Sequence, residues 1–451
     1  VLKTPLFVVR PAVAAWVVLG AALVAVSPAA AQAPPLRPRP ERPYRGLFGG
    51  GPGTADQSLI FDFRAGVGYD DDLLAEAFGA TTPVDGRQPN AGSFGSMSLG
   101  LSYGQTRENW SFNANYGGQA RYYPHERRKY LTSHGVGAGV SFTPNGTTQL
   151  TFNSSLTYQP YYAQRFFPAV YEFDLGPVLV SPPTMSETRE SYFVMSNGVG
   201  FSHPLTRRAA VYASYSSERN GVLKTTDYQN QSAGAGFTYA IGKGLAGRAG
   251  YSLTEGRYDI DGRRERVRYS SFTGGLDFNK ALSLTRRTFL RFSTGMSAAN
   301  DGTETHYTMT GNVGLTREIG RTWNAGIVFV RDFGLSPYFP EPMLTDSVSA
   351  QVGGLINRRL QLTFVAGATR GAIGFSDGDN SVTSASAGSS LMVGFTESTG
   401  LSLNYMYYRH LYGADVALPL GSPRHMNRQS VSVNFAYTVP LYERRRPNAA
   451  R

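Results

Sequence analysis

At 451 residues, the chain is long enough for two or three soluble domains or for one large closed sheet. Its 52 glycines disfavour helices, and its lack of cysteine excludes disulfides, thiol catalysis, thiolate metal sites and a lipid anchor on cysteine. A formal net charge of +11 points to acidic partners, for which phosphate-bearing lipid or acidic sugar suits an exported chain and nucleic acid does not.

The chain opens with Lys3 and Arg10, then an apolar run from Ala12 to Val26, then Ala29 and Ala31 in small-x-small spacing. This order predicts a secretory signal peptide over 1–31, too short and too Ala- and Pro-rich at its exit to be an anchor. Residues 32–56 are rich in Pro and Arg, then in Gly, and read as a periplasmic tether that buries no core.

From Gln57 onward one pattern recurs. Leu59, Phe61, Phe63, Ala65, Val67 and Tyr69 alternate with Ile60, Asp62, Arg64, Gly66 and Gly68. Near the other end, Val431, Val433, Phe435, Tyr437 and Val439 alternate with Ser430, Ser432, Asn434, Ala436 and Thr438. A strand throws successive side chains to opposite faces, so each segment has one greasy face and one small polar face. About eighteen such segments follow one another, most near the 9–11 residues that cross a bilayer at a tilt.

The connections alternate in length. Short links such as PNGTT, HPLTRR, GKG, NRR and EST stand between longer ones at 71–93, 123–131, 159–189, 219–227, 259–267, 335–345, 373–382 and 412–426. Tight turns on one side and long loops on the other are the habit of outer-membrane barrels. Two links break the rule: 280–286 is long for a turn and 299–303 is short for a loop. Tyr69, Tyr103, Trp110, Tyr122, Tyr158, Tyr239, Tyr258, Tyr269 and Trp323 fall near strand ends, where interfacial girdles would place them. The expected fold is all-β: a transmembrane antiparallel up-and-down barrel over 57–442, with both chain ends in the periplasm of a Gram-negative cell. Residues 443–451 form a basic tail. The aromatic pattern of the last strand stops at Tyr437 or Tyr442.

A barrel of this strand number holds an aqueous channel unless something plugs it. The inward face carries Asp62, Arg64, Arg121, Arg248, Arg291 and Asp332, which either select ions by sign or pair to stiffen the wall. The longest loop holds Tyr161, Tyr162, Phe166, Phe167, Tyr171 and Phe173, either a constriction that stacks on sugars or an external lid. Arg127, Arg128 and Lys129, and Arg263, Arg264 and Arg266, sit in expected outer loops as anion-binding candidates for lipopolysaccharide phosphate or acidic polysaccharide. The three aspartates after Tyr69 lack the ligand spacing of a calcium loop. The six histidines are scattered, with no H-E-x-x-H or G-x-S-x-G, although His410 and His425 flank one loop in the way a rim-sited enzyme would need. No cofactor, metal site or catalytic residue is assigned. The expected partners are outer-membrane lipid, the barrel assembly machinery, and anionic solutes or polysaccharide.

The first strand and its exit, LIFDFRAGVGYDDDLLAEAFG, is similar to the aromatic-x-Tyr-Asp-Asp/Asn opening of the β-barrel porin 2 family and of related exopolysaccharide-locus barrels. Asp72 stands where Asn is usual. The resemblance implies an outer-membrane barrel, in some cases beside polysaccharide export, and implies no catalytic residues. Two roles follow: a channel for solutes or polysaccharide, or a closed binding barrel.

Overall fold

The computed structural model describes residues 56–71, 91–124, 130–159, 163–164, 185–186, 192–222, 226–260, 263–281, 287–300, 305–320, 322–336, 339–374, 379–416 and 424–444. Its strands in chain order are β1 (Gln57–Asp70), β2 (Gly92–Thr106), β3 (Trp110–Tyr122), β4 (Tyr130–Phe142), β5 (Gln149–Gln159), β6 (Ala163–Gln164), β7 (Met185–Ser186), β8 (Tyr192–Pro204), β9 (Ala209–Val222), β10 (Thr226–Gly242), β11 (Leu245–Ile260), β12 (Arg263–Ala281), β13 (Thr288–Asn300), β14 (Thr305–Ile319), β15 (Trp323–Ser336), β16 (Phe339–Asn357), β17 (Leu360–Ile373), β18 (Ser381–Gly394), β19 (Thr399–Tyr412) and β20 (His425–Arg444). No helix occurs among the described residues. The two-residue β6 and β7 pair only with each other.

The other eighteen strands form one sheet in which each pairs antiparallel with its neighbours in sequence. The sheet closes because β1 also pairs with β20, from Gln57 opposite Arg444 to Asp70 opposite Ser430. Closure gives the sheet no outer edge, with its shortest ladder between β12 and β13, from Asp277 opposite Ser293 to Ala281 opposite Phe289.

Register turns the sequence alternation into a two-sided wall. Leu391, Leu403, Val433 and Val67 lie in one cross-strand row, and Tyr405, Val431 and Tyr69 in the next. All project outward, and the exposed large apolar side chains continue round the barrel through Met97, Tyr116, Val136, Leu156, Phe237, Tyr251, Phe272, Val313, Phe329 and Phe364. An apolar exterior around a polar interior is the arrangement lipid demands of a strand-built span.

The end that carries the termini is closed by short turns with their own side-chain locks. Asn145 Oδ1 accepts from the Thr148 N–H at 2.8 Å, with Gly146 at φ 71°. Thr206 Oγ1 and Thr396 Oγ1 each accept from the N–H three residues on, at 3.0 Å, and Asn357 Oδ1 accepts from Arg359 N at 2.8 Å. Asn145, Thr206 and Asn357 belong to PNGTT, HPLTRR and NRR, and Thr396 directly precedes EST, all doing what short polar side chains do in turns.

Three expected outer loops are strand instead. The ladders run to Val222/Thr226, Ile260/Arg263 and Ser336/Phe339, so most of 219–227, 259–267 and 335–345 is strand. The charges there read as loop, but they sit in cross-strand pairs such as Asp259 opposite Arg264, which hold the hairpins together beyond the apolar belt. Arg264 and Arg266 are therefore strand residues facing outward, and Arg263 opens β12. Two of the nine girdle candidates face inward: Tyr258 packs against Tyr228 at 4.9 Å, and Tyr269 meets Phe333 edge-on at 5.4 Å. On β11 the outward set is Tyr251, Leu253 and Glu255, so Tyr258 falls on the other face. β20 continues past Tyr442 to Arg444. The expected signal peptide and the expected tether before Asp56, the aromatic candidates from Tyr161 to Phe173, and Arg127, Arg128 and Lys129 lie outside the described residues.

Candidate channel lining

On β1 the even-numbered residues face the lumen, so Asp62 and Arg64 point into the barrel. Across the ladder Asp62 is followed in one row by Gly100, Gly117, Gly135 and Thr157. The next row towards the loops reads Arg64, Ser98, Gln119, Ser133. Three glycines in a row leave a trough, since a Cβ at Gly117 would meet no atom within 4 Å. The trough is a recess of about 350 Å³ edged by Asp62, Arg64, Gln119, Ser133 and Thr157. On its other flank Asn113 and Asn153 lean over Gly139, whose missing Cβ would stand 2.9 and 2.7 Å from their Oδ1 atoms. Amides, hydroxyls, one carboxylate and one guanidinium thus line a recess inside a closed barrel. Such a surface can exchange hydrogen bonds with hydrated or polyhydroxylated molecules.

Asp62 is fixed by the Thr438 hydroxyl, which donates to Oδ1 at 2.6 Å across the closing seam. Arg121 stands two residues loopward of Gln119 with its guanidinium carbon 5.4 Å from the centre of the Phe94 ring. Phe94 lies over Gly68, where a Cβ would collide with the ring. Deeper at the loop end, Arg428 Nε donates to both oxygens of Asp70 at 2.9 and 3.0 Å, with both side chains almost wholly buried. The pair joins the first strand to the last, and the N–H of Gln429 donates to Asp71 Oδ1 at 2.7 Å beside it.

The lumen candidates thus divide. Asp62, Arg64 and Arg121 share the wall of β1–β3. Arg248, Arg291 and Asp332 stand on β11, β13 and β15, on the far side of an eighteen-strand circuit. Arg248 Nη2 donates to Ser293 Oγ at 2.7 Å and lies 3.7 Å from Asp277, so its charge is largely compensated. Arg291 lies in the inward row between Asn279 and Gly314. Asp332 Oδ1 accepts the N–H of Phe333 at 2.8 Å.

Sequence reasoning missed the glycine row, Asp277, the lumen-side Glu218 of β9, whose Oε1 accepts from Asn220 Nδ2 at 2.9 Å, and the Asp70–Arg428 pair. Strand parity would have found the first three. Nothing local links Asp70 to a partner 358 residues away. His410 is buried on the lumen side opposite Ser384, while His425 is opposite Leu411 on the outward face, so the two do not converge. Among the described residues no cluster of His, Asp and Glu has metal-binding geometry.

No protein-family model matches the sequence, and no curated protein matches it. Among solved structures, the chain overlays on OpdQ of Pseudomonas aeruginosa at 12% identity, covering 86% of this chain and 98% of that one, with a TM-score of 0.43. It overlays on OccK2 (OpdF) of the same organism, solved with glucuronate, at 11% identity over 86% and 100% with a TM-score of 0.43. The siderophore receptor PirA of Pseudomonas aeruginosa follows at 9% identity over 85% and 80%, with a TM-score of 0.42. Overlaps this loose say nothing about function, and the barrel stands on its own closed ladder.

Proposed function

We propose that the protein is an outer-membrane channel for polar solutes, with its termini and short turns in the periplasm. The observation that carries this reading is the glycine-floored recess inside a closed barrel that is apolar outside. The recess favours small anions and acidic sugars, since Arg64 and Arg121 outnumber Asp62 on that wall. The preference is modest, because Arg248 and Arg428 are matched by Asp277 and Asp70. Passage of a polysaccharide would use the same recess, and the resemblance of the first strand to exopolysaccharide-locus barrels is its support.

Planar-bilayer recording of the refolded chain under a salt gradient tests the reading. Steady conductance with a small anion-biased reversal potential is the expected result. Silence in a folded, heat-modifiable barrel overturns it. One observation favours the runner-up, a closed binding barrel: Tyr123, Tyr228, Tyr258 and Tyr408 are all almost fully buried near the loop end, where a free passage would leave aromatics wet.

A further inference from the structure

The outward face of β9–β12 changes character abruptly towards the loops. Tyr251, Leu253 and Phe272 are exposed apolar side chains of the lipid-facing belt. Two residues beyond Leu253, roughly 7 Å along the strand, stands Glu255, and around it the surface turns basic. Arg268 lies directly opposite Glu255, Arg266 opposite Arg257, and Arg264 opposite Asp259. The row through Arg257 continues across Gln229 to Arg219 on β9.

Three guanidiniums share the single carboxylate. Arg257 Nε donates to Glu255 Oε1 at 2.7 Å, Arg268 Nη2 donates to Oε2 at 2.8 Å, and Arg266 Nη2 donates to the same oxygen. Arg264 Nε meets Asp259 at 3.2 Å. Four arginines therefore face two carboxylates. Each guanidinium has five N–H donors, and all four side chains stay at least half exposed.

Stability does not explain this cluster. Exposed ion pairs contribute about 0–1 kcal/mol, and gathering three like charges opposes even that. Glu255 instead spaces and orients the guanidiniums while leaving most of their donors unused. The row from Arg219 to Arg266 crosses three strand gaps, roughly 14 Å at the usual strand spacing. The cluster sits at headgroup height, just past the belt, where phosphate oxygens suit planar guanidinium forks.

We propose that this outward arginine strip binds the phosphate groups of a multiply phosphorylated membrane lipid, with the acyl chains lying against Tyr251, Leu253 and Phe272. The strip depends on the barrel standing in a membrane and not on whether its lumen conducts.

Native mass spectrometry of the refolded full chain in detergent tests the assignment, with lipopolysaccharide and its dephosphorylated form as probes. Wild-type protein retains the phosphorylated lipid. Dephosphorylation and the double variant Arg257→Gln/Arg266→Gln each weaken retention about tenfold or more, on the usual increment per basic residue near a lipid surface. Arg317→Gln removes an outward arginine at the opposite end of the barrel and leaves retention unchanged. If the double variant fails to show heat-modifiable folding, the single change Arg268→Gln is expected to weaken retention about fivefold. Equal retention by the double variant, or equal retention of the dephosphorylated lipid, overturns the proposal. Displacement of the lipid by millimolar inorganic phosphate reassigns the strip to free anions and overturns it too. Unchanged conductance of the double variant separates this result from any failure of the channel reading.

Discussion

The two halves of the barrel wall use the same small residues to opposite ends. On β1–β5, one glycine row leaves room: a Cβ at Gly117 would meet nothing within 4 Å and those at Gly100 and Gly135 only ordinary contacts at 3.4 and 3.8 Å, and polar groups line a recess. On β10–β19 the same residue types are consumed by packing. Thr254 bonds Ser232 at 3.0 Å, Ser271 bonds Ser297 at 3.1 Å, Thr369 bonds Ser347 at 3.1 Å and Ser390 bonds Asn404 at 2.8 Å, all on the lumen side. Tyr228 and Tyr258 fill the loop end above them. The far wall is cross-linked by many weak bonds, whereas the near wall is held at its seam by one buried ion pair and a few hydrogen bonds. A small residue therefore means space or close contact according to what its neighbours across the ladder do.

The sharpest way to break the comparison is at that seam. Arg428→Met leaves Asp70 buried without its charge partner, and the loss is about 3–5 kcal/mol, read as a lowered midpoint in urea unfolding in micelles. Replacing both residues with apolar ones of similar volume recovers much of it. On the far wall, Thr254→Val removes one of many neutral bonds and costs only about 1 kcal/mol. Equal losses at the two sites would show that the seam carries no special load.

Two glycines sharpen the contrast further. Gly275 faces the backbone of β13 so closely that a Cβ would collide with the Thr294 carbonyl oxygen. Gly275→Ala is expected to destabilise by about 1–3 kcal/mol through overpacking. Gly117→Ala, aimed into the recess, is expected to stay within about 0.5 kcal/mol of wild type. Gly117→Trp keeps the fold and roughly halves single-channel conductance, since an aromatic ring occupies the recess that solutes would use. An unaltered conductance would place the solute path elsewhere in the lumen.

Much of this architecture is legible in the sequence because a membrane barrel is built from local rules. Period-two alternation in segments such as Val431–Val439 gives the strands, and turn chemistry at Asn145, Thr206 and Thr396 gives the short connections. Parity then assigns Asp62, Arg64 and Arg121 to the lumen. What was not legible is set by register across strands. Tyr258 reads as a girdle residue until its opposite number, Tyr228, is known. Arg264 and Arg266 read as loop charge until Asp259 and Arg257 are seen across the hairpin. The seam pair of Asp70 and Arg428 joins the ends of the chain and has no local signature at all.

A last contrast concerns the loop end itself, where two reversals on the β17–β20 side are stitched together. Asp379 accepts the Ser381 hydroxyl at 2.7 Å and the Ala414 N–H at 3.2 Å, and its own N–H donates to Asp415 at 2.7 Å. Beneath them Val416 packs with Ile373, Val382 and Tyr412. The Ser381 hydroxyl first, then the Ala414 amide, hold the Asp379 carboxyl below its ordinary value, with Arg370 adding to the effect. A carboxyl depressed in the folded state supports the stitch above its unfolded value of about 3.9 and releases it as pH falls through the folded value. The chain has no cysteine, so Ala414→Cys gives a unique site for a nitroxide. Its spectrum is expected to stay immobilised from neutral pH down to about 4 and to loosen below that. Asp379→Asn loses the carboxylate acceptor at every pH and is expected to be loose throughout. A label that is equally immobile in both proteins at neutral pH would show that the apolar group around Val416 holds these reversals without the carboxylate.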